Sequence, residues 1–256
     1  MAKKSEAYRN DNRKLQDLLA LRITLYFTDD VDIVYKYLKN QPNFVDESID
    51  VKDVDTFKPT RLNLIMRVPD NLKEHITAAI NDTKFPDLID DTYEIQIRTI
   101  LSEGWHEVEH DLRYKYKDDW NDFQEESRLL NGIFASLESN EWAMLSLFDR
   151  LSYAHYKRNE WDSMLRNKLR IRFADSGLSD ELKKYLSEHQ QIAKRLFRTD
   201  RAVVIGNIMD KGFSFPLVYD TILHLLNHIC VKDMDLAAME DTSLKEELDN
   251  SFGKIQ

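Results

Sequence analysis

Tyr93-Glu94-Ile95-Gln96-Ile97-Arg98-Thr99 is the stretch on which the reading of this chain turns. With a period of two, Tyr93, Ile95 and Ile97 point to one face of a strand and Glu94, Gln96 and Arg98 to the other. The second face sets three long hydrogen-bonding side chains in a row, one an anion and one a fixed cation. That suits the wall of a polar site better than an ordinary solvent face. The helical pattern that follows at once, residues 105–117, adds a second dense group of polar and aromatic side chains. Together they point to a site for a charged ligand.

Outward from this strand, the first half alternates strand and helix signals. Residues 18–27 read as a strand with Leu19, Leu21, Ile23, Leu25 and Phe27 on one face and Arg22, Thr24 and Tyr26 on the other. Thr28-Asp29-Asp30 offers N-caps for a helix over 31–40, and a strand over 62–68 precedes a helix near 71–81. After about Trp120 the spacing is helical almost throughout, as in Met144, Leu147, Phe148 and Leu151, or Ile222, Leu225, Leu226 and Ile229. Ser179-Asp180 reads as a helix start and Lys211-Gly212 as a helix end. The expected architecture is an α+β domain over residues 1–120, a mixed sheet with flanking helices, followed by an all-helical region over 121–256. Aromatics of the helical half, Trp142, Phe148, Tyr153, Tyr156 and Trp161, fall at core spacing.

Composition narrows the function. No apolar run approaches membrane-spanning length, and the basic N-terminus is followed by polar residues where a secretory signal needs an apolar segment. The single cysteine, Cys230, excludes an internal disulfide and fits a reducing cytoplasm. A net charge of −10 argues against broad, sequence-independent binding to DNA or RNA. It leaves room for a local basic pocket that takes a phosphorylated small molecule. There is no GxGxxG and no Walker A pattern, so a nucleotide here must be held by side chains and metal.

Two carboxylate–arginine pairings carry that chemistry. Asp17 with Arg22 and Glu94 with Arg98 sit on strands, where neighbouring carboxylates suit magnesium and arginines suit phosphate oxygens. Surface ion pairs on a sheet are the plainer alternative. His106-Glu107-Val108-Glu109-His110 satisfies H-E-x-x-H literally, a pattern that can bind zinc, but short patterns of this kind recur by chance. His224 and His228 lie four apart on an apolar helix, as core histidines do. The basic run 194–201 reads as a solvated helix face, with an RNA-docking face as its functional alternative.

Asp17-Leu18-Leu19-Ala20-Leu21-Arg22-Ile23 followed by Asp29-Asp30-Val31 resembles the D-[IL]-x-[AG]-[IV]-R-[IV] … D-D-[VI] segment of RelA/SpoT-type alarmone synthetases. Glu94-Ile95-Gln96-Ile97-Arg98-Thr99 resembles their E-[IV]-Q-I-R-T strand. Trp105, Glu109-His110 and Tyr114-Lys115 resemble the W-x-x-x-E-H-x-x-x-Y-K helix of the small single-domain members. The resemblance spans roughly residues 14–120. It implies a nucleotidyltransferase-like fold and magnesium-dependent transfer of pyrophosphate from ATP to the 3′-hydroxyl of GDP or GTP, making (p)ppGpp. By position, Asp17 and Glu94 would be the magnesium carboxylates, with Glu94 also activating the attacking hydroxyl. Gln96, Arg98, Glu109 and His110 would shape the nucleotide pocket, and Arg22 would support it.

The sequence also departs from the family. Asn63 stands where a G-Y-x-S-[IL]-H segment places its His, and no Tyr lies four residues before it to stack on guanine. The family's basic stretch ahead of the Asp has only Arg9, Arg13 and Lys14 as counterparts. Those departures keep other readings open: a toxin-like relative that pyrophosphorylates another purine nucleotide or tRNA, and a silent nucleotide-binding sensor. Family members also form homo-oligomers.

Overall fold

The computed structural model describes residues 19–50, 62–82, 86, 89–174, 177–213 and 215–255. Asp17, Arg13 and Lys14 lie outside the described residues, as do Leu18 and residues 51–61. The chain divides into two compact units, residues 1–141 and 142–256.

The first unit is built on a four-stranded mixed sheet. Its strands are β1 (Ala20–Leu25), β2 (Phe44–Ile49), β3 (Leu62–Arg67) and β4 (Thr92–Thr99), in the spatial order β1-β4-β3-β2. β4 pairs parallel with β1 and antiparallel with β3, which places the Glu94 strand centrally. Parallel pairing needs a crossover, and the chain between β1 and β4 supplies helix α1 (Thr28–Lys39), strands β2 and β3, and helix α2 (Lys73–Asn81). One sheet face buries Leu64, Met66, Ile95 and Ile97, with Ile23, Leu25, Val31, Val34 and Leu38 packed against them. The alternation expected of Tyr93, Ile95 and Ile97 is therefore kept.

Several local readings shift. β1 stops at Leu25, and Leu21 stays 58% exposed because β1 is the edge strand of the sheet. Helix α1 starts at Thr28, three residues early, so Asp29 and Asp30 sit in its first turn, where they favour the positive end of the helix dipole, and Phe27 takes the N-cap place. β2 was not anticipated: Asp46 and Glu47 interrupt its apolar character, and a bulge between Phe44 and Asp46 breaks its period.

The helix after β4 is α3 (Ile100–Glu109), continued by a π-helical turn, His110–Tyr114. Thr99 turns the chain sharply into it through a capping box. Its side chain accepts from the Ser102 N–H at 3.1 Å, and the Ser102 hydroxyl accepts from the Thr99 N–H at 3.1 Å. Trp105 is buried on this helix, donates Nε1–H to the Leu130 carbonyl at 3.0 Å, and packs on Phe134. Those partners belong to the long helix α4 (Gln124–Lys157), within which the boundary between the units falls.

The second unit is all helical: α5 (Trp161–Leu169), α6 (Asp180–Glu188), α7 (Gln190–Phe197), α8 (Arg201–Lys211), α9 (Tyr219–Leu226), α10 (Met234–Ala237) and α11 (Thr242–Phe252). Its core gathers Trp161, Met164, Leu165, Leu186, Leu196, Ile222, Leu223 and Leu248. Ser179, Asp200, Asp233 and Asp241 cap α6, α8, α10 and α11 by accepting from backbone N–H groups. Of the aromatics expected in the core, Trp161 is buried and Tyr156 stacks on Phe197 at 4.9 Å, whereas Trp142 and Tyr153 are exposed. No helix among the described residues is long and apolar enough to cross a membrane.

Gly212 ends α8 in the left-handed conformation, φ +61°, and its N–H reaches the Ile208 carbonyl. A Cβ there meets nothing within 4 Å, so the cost of a side chain is conformational alone. Gly212→Ala is expected to lower stability by about 1 kcal/mol, read as a lower urea midpoint at unchanged slope.

Candidate functional site

Strand register assembles the site. Arg22 of β1 and Asn63 of β3 both pair with Gln96 of β4, so the three form one row across the sheet, with Glu94 two residues further along the same face. Their side chains form a continuous chain of contacts. Asn63 Nδ2 donates to Glu94 Oε1 at 3.0 Å, and Gln96 Nε2 donates to the same oxygen at 2.7 Å. The Gln96 carbonyl in turn accepts from Arg22 Nε at 3.0 Å. A carboxylate only accepts, which fixes the orientation of both amides. Glu94 Oε2 accepts no hydrogen bond among the described residues, so one oxygen is anchored while the other stays available.

Helix α3 closes the row from above. Glu103 and Glu107, one turn apart, both reach Arg22 Nη1, Glu107 at 2.6 Å. Arg98, only 5% exposed, pairs with the other oxygen of Glu103 at 3.3 Å. The hydrogen bond to Glu107 is the main reason the Arg22 guanidinium sits above its ordinary pKa, and the same bond pulls Glu107 below the usual carboxylate range. Burial, then the positive charge of Arg98, pushes His106 below the ordinary imidazole value.

The remaining expected residues lie further along the same helix. His110 stacks between His106 and Tyr114, with ring centroids 6.0 and 5.5 Å apart, and its Nδ1 lies 3.1 Å from Asp111. Glu109 turns the other way, toward Arg113 at 3.3 Å, which also donates to Asn131 at 3.0 Å. The structure thus brings Glu94, Gln96, Asn63, Arg22 and Arg98 together and sets Glu109 apart from them. No group of three or more His, Cys, Asp and Glu among the described residues is placed to hold a metal ion, the H-E-x-x-H segment included.

Glu103 and Glu107 were missed as site residues. The signal was available: two acids at i and i+4 repel each other unless a cation stands between them. Thr99 also contacts the buried Glu141 of α4 through its hydroxyl, a link that no local pattern announces.

Residues 1–119 match the region found in RelA / SpoT proteins. No curated protein matches the chain. Among solved structures, small alarmone synthetase 1 from Bacillus subtilis is 23% identical with a TM-score of 0.39, over 57% of this chain and 73% of that one. Small alarmone synthetase 2 from Bacillus subtilis is 22% identical with a TM-score of 0.41, over 56% of this chain and 75% of that one. A GTP pyrophosphokinase family protein from Streptococcus pneumoniae is 23% identical with a TM-score of 0.39, over 56% of this chain and 66% of that one. Likeness of this degree carries no weight for activity.

Proposed function

With residues 1–119 a divergent RelA/SpoT-type domain, we propose that the chain transfers pyrophosphate from ATP to the 3′-hydroxyl of GDP or GTP, making (p)ppGpp. The observation that carries this reading is Glu94, tied by one oxygen to Asn63 and Gln96 and open at the other. In the proposed reaction the acceptor 3′-oxygen attacks the β-phosphorus of ATP, its proton passes to Glu94 Oε2, and the bond between the α-phosphate and the β-phosphorus breaks to release AMP. Transfer of this kind relies on positioning and on offsetting charge, and the wall supplies both.

The donor set suits a hard cation, since magnesium is commonly held by one or two carboxylates together with substrate phosphates. Glu94 would supply one carboxylate ligand and Asp17, on the sequence pattern, the second, and the ion so held would offset the negative charge of the phosphates. Gln96 and Asn63 hold Glu94 in place, and Arg22, Arg98 and His110 are the proposed contacts to the nucleotide. Arg13 and Lys14 remain the proposed contacts to ATP ahead of Asp17. In this reading catalysis belongs to residues 1–120, and residues 121–256 are a separate helical region. We place the chain in the cytoplasm; assembly into homo-oligomers is part of the same proposal.

A second acceptor, another purine nucleotide or tRNA, is favoured by one feature. Asn63, where the family pattern has a histidine, spends its amide on Glu94, and no Tyr lies four residues before it. The test is an incubation with magnesium, labelled ATP and GDP, GTP or bulk tRNA, resolved for pyrophosphorylated products and AMP. Label on GDP or GTP is the expected outcome. Label on tRNA alone would move the chain to the second reading, and binding without transfer to any acceptor would make it a sensor.

A further inference from the structure

We propose that Glu141 is a positioning residue for the transfer: through the Thr99 hydroxyl it sets the angle at which helix α3 leaves β4, and with it the seat of Glu103 against Arg98. This rests on the nucleotide reading above and adds a residue beyond the matched region, 1–119.

Thr99 is where the polar strand becomes a helix. β4 ends there, directly after Arg98, and α3 begins at Ile100. Glu103, one turn into α3, pairs with Arg98 at 3.3 Å and with Arg22 of β1. The direction taken at Thr99 therefore decides whether these charges meet. Three contacts splint α3 and its π-helical continuation to the first half of α4. Arg113 donates to Asn131 at 3.0 Å, Trp105 to the Leu130 carbonyl at 3.0 Å, and Thr99 to Glu141. The Glu141 contact is the one nearest the strand.

The protons at the turn each find one acceptor. Thr99 Oγ1 accepts from the Ser102 N–H and gives its own proton to the Glu141 carboxylate. Ser102 Oγ accepts from the Thr99 N–H and donates to the Thr99 carbonyl, both at 3.1 Å. Without the carboxylate, the Thr99 hydroxyl turns to Ser102 Oγ, 3.0 Å away. The capping box then survives, but its tie to α4 does not. Thr99 is 3% exposed and Glu141 5%. Burying a carboxylate is costly, and an apolar side chain of the same length would pack α4 there as well. What apolar packing lacks is direction.

The opposing possibility is that Glu141 only stabilises the fold. Glu141→Met fills the same space without an acceptor, whereas Glu141→Gln keeps one. The full chains are compared in transfer from labelled ATP to GDP or GTP with magnesium, in thermal melting, and in hydrogen exchange over residues 98–104. Glu141→Met should melt within about 2 °C of the parent and exchange faster over that segment. Its kcat should fall about tenfold or more, with KM for both nucleotides changed less than about threefold, as small misplacements do. Glu141→Gln should restore all three readouts. Thr99→Ala removes the same bond from its other end and should lose kcat to a similar degree. Rates are taken well below each melting temperature, so a less stable variant still decides. Parent-like kcat in Glu141→Met or Thr99→Ala overturns the positioning role, and so does an equal loss in Glu141→Gln and Glu141→Met. A parent chain that transfers nothing to either acceptor overturns the nucleotide reading, and the role in transfer with it.

Discussion

Glu94→Gln is expected to lower pyrophosphate transfer by about three orders of magnitude or more, the scale of losing a base and a charge-stabilising ligand together. The melting temperature should stay within about 2 °C of the parent, because the substitution keeps shape and one hydrogen-bond acceptor. The local geometry says why the loss is chemical. Asn63 Nδ2 and Gln96 Nε2 both donate to Glu94 Oε1, at 3.0 and 2.7 Å. A glutamine at 94 must turn its carbonyl oxygen toward those two donors, which drives its NH₂ to the position of Oε2. A donor then stands where the proposed reaction has a proton acceptor and a metal ligand. Neither the anchoring bonds nor the sheet is disturbed, since the side chain is only half-buried and its strand partners on β3 and β1 pair through backbone. Transfer is measured with labelled ATP and GDP, and folding by thermal melting. Transfer at the parent rate would remove Glu94 from the chemistry; lost transfer with a melting temperature lowered by several degrees would make it a structural residue.

What the sequence disclosed follows the range of the interactions involved. The period-two alternation around Glu94 is set by strand geometry alone, so the polar face of β4 was readable without knowledge of its neighbours. The row Arg22–Gln96–Asn63 was only half readable. Each residue was marked out by its motif position, but their lateral contact is a matter of register across three strands, which depends on the crossover and on how β2 and β3 are placed. β2 itself was hidden because its acidic residues give a solvated edge strand, flanked on one side only. Helix ends were legible where a single residue decides them, as at Ser179 and Gly212, and displaced where none does, as at Phe27, whose side chain makes no cap. Glu103 and Glu107 show the remaining gap. Their meaning comes from Arg22, some eighty residues earlier, and only the fold brings the three together.

The helical unit holds the second large expected effect. Glu240→Ala should cost about 2–4 kcal/mol, because it strands a buried imidazole donor and opens a cavity beside it. The Glu240 side chain is closed to solvent, lies 2.9 Å from His228 Nε2 and 3.7 Å from His224 Nδ1, and both histidines are buried. Facing a carboxylate, His228 Nε2 carries the proton and donates it. His224, on α9, and His228, in the π-helical turn Asn227–Val231 that continues that helix, lie four residues apart. The neighbouring side chain of Asn227 fastens the following bend, donating to the Asp233 carbonyl and accepting from the Asp233 N–H, both at 2.8 Å. Spacing alone suggested core histidines; their shared carboxylate, twelve residues beyond His228, was beyond its reach.

Acid should expose the same cluster. Burial is the chief cause that lowers His224 below the ordinary imidazole pKa, helped by His228 and opposed by Glu240, Asp220 and Asp241. A depressed folded value means the unfolded chain binds the proton first, so the stabilisation is complete above the ordinary histidine range and is lost as the pH falls below it. Glu240→Gln keeps an acceptor for His228 but removes the anion that favours a charged imidazole, so acidification from pH 7.5 to 5.5 should destabilise it more than the parent. Glu240→Ala should be weaker at both values. Urea unfolding gives the global cost, and hydrogen exchange over residues 219–231 reads it locally. Parent-like protection of that segment in Glu240→Ala would show that the carboxylate does not hold the two histidines in place.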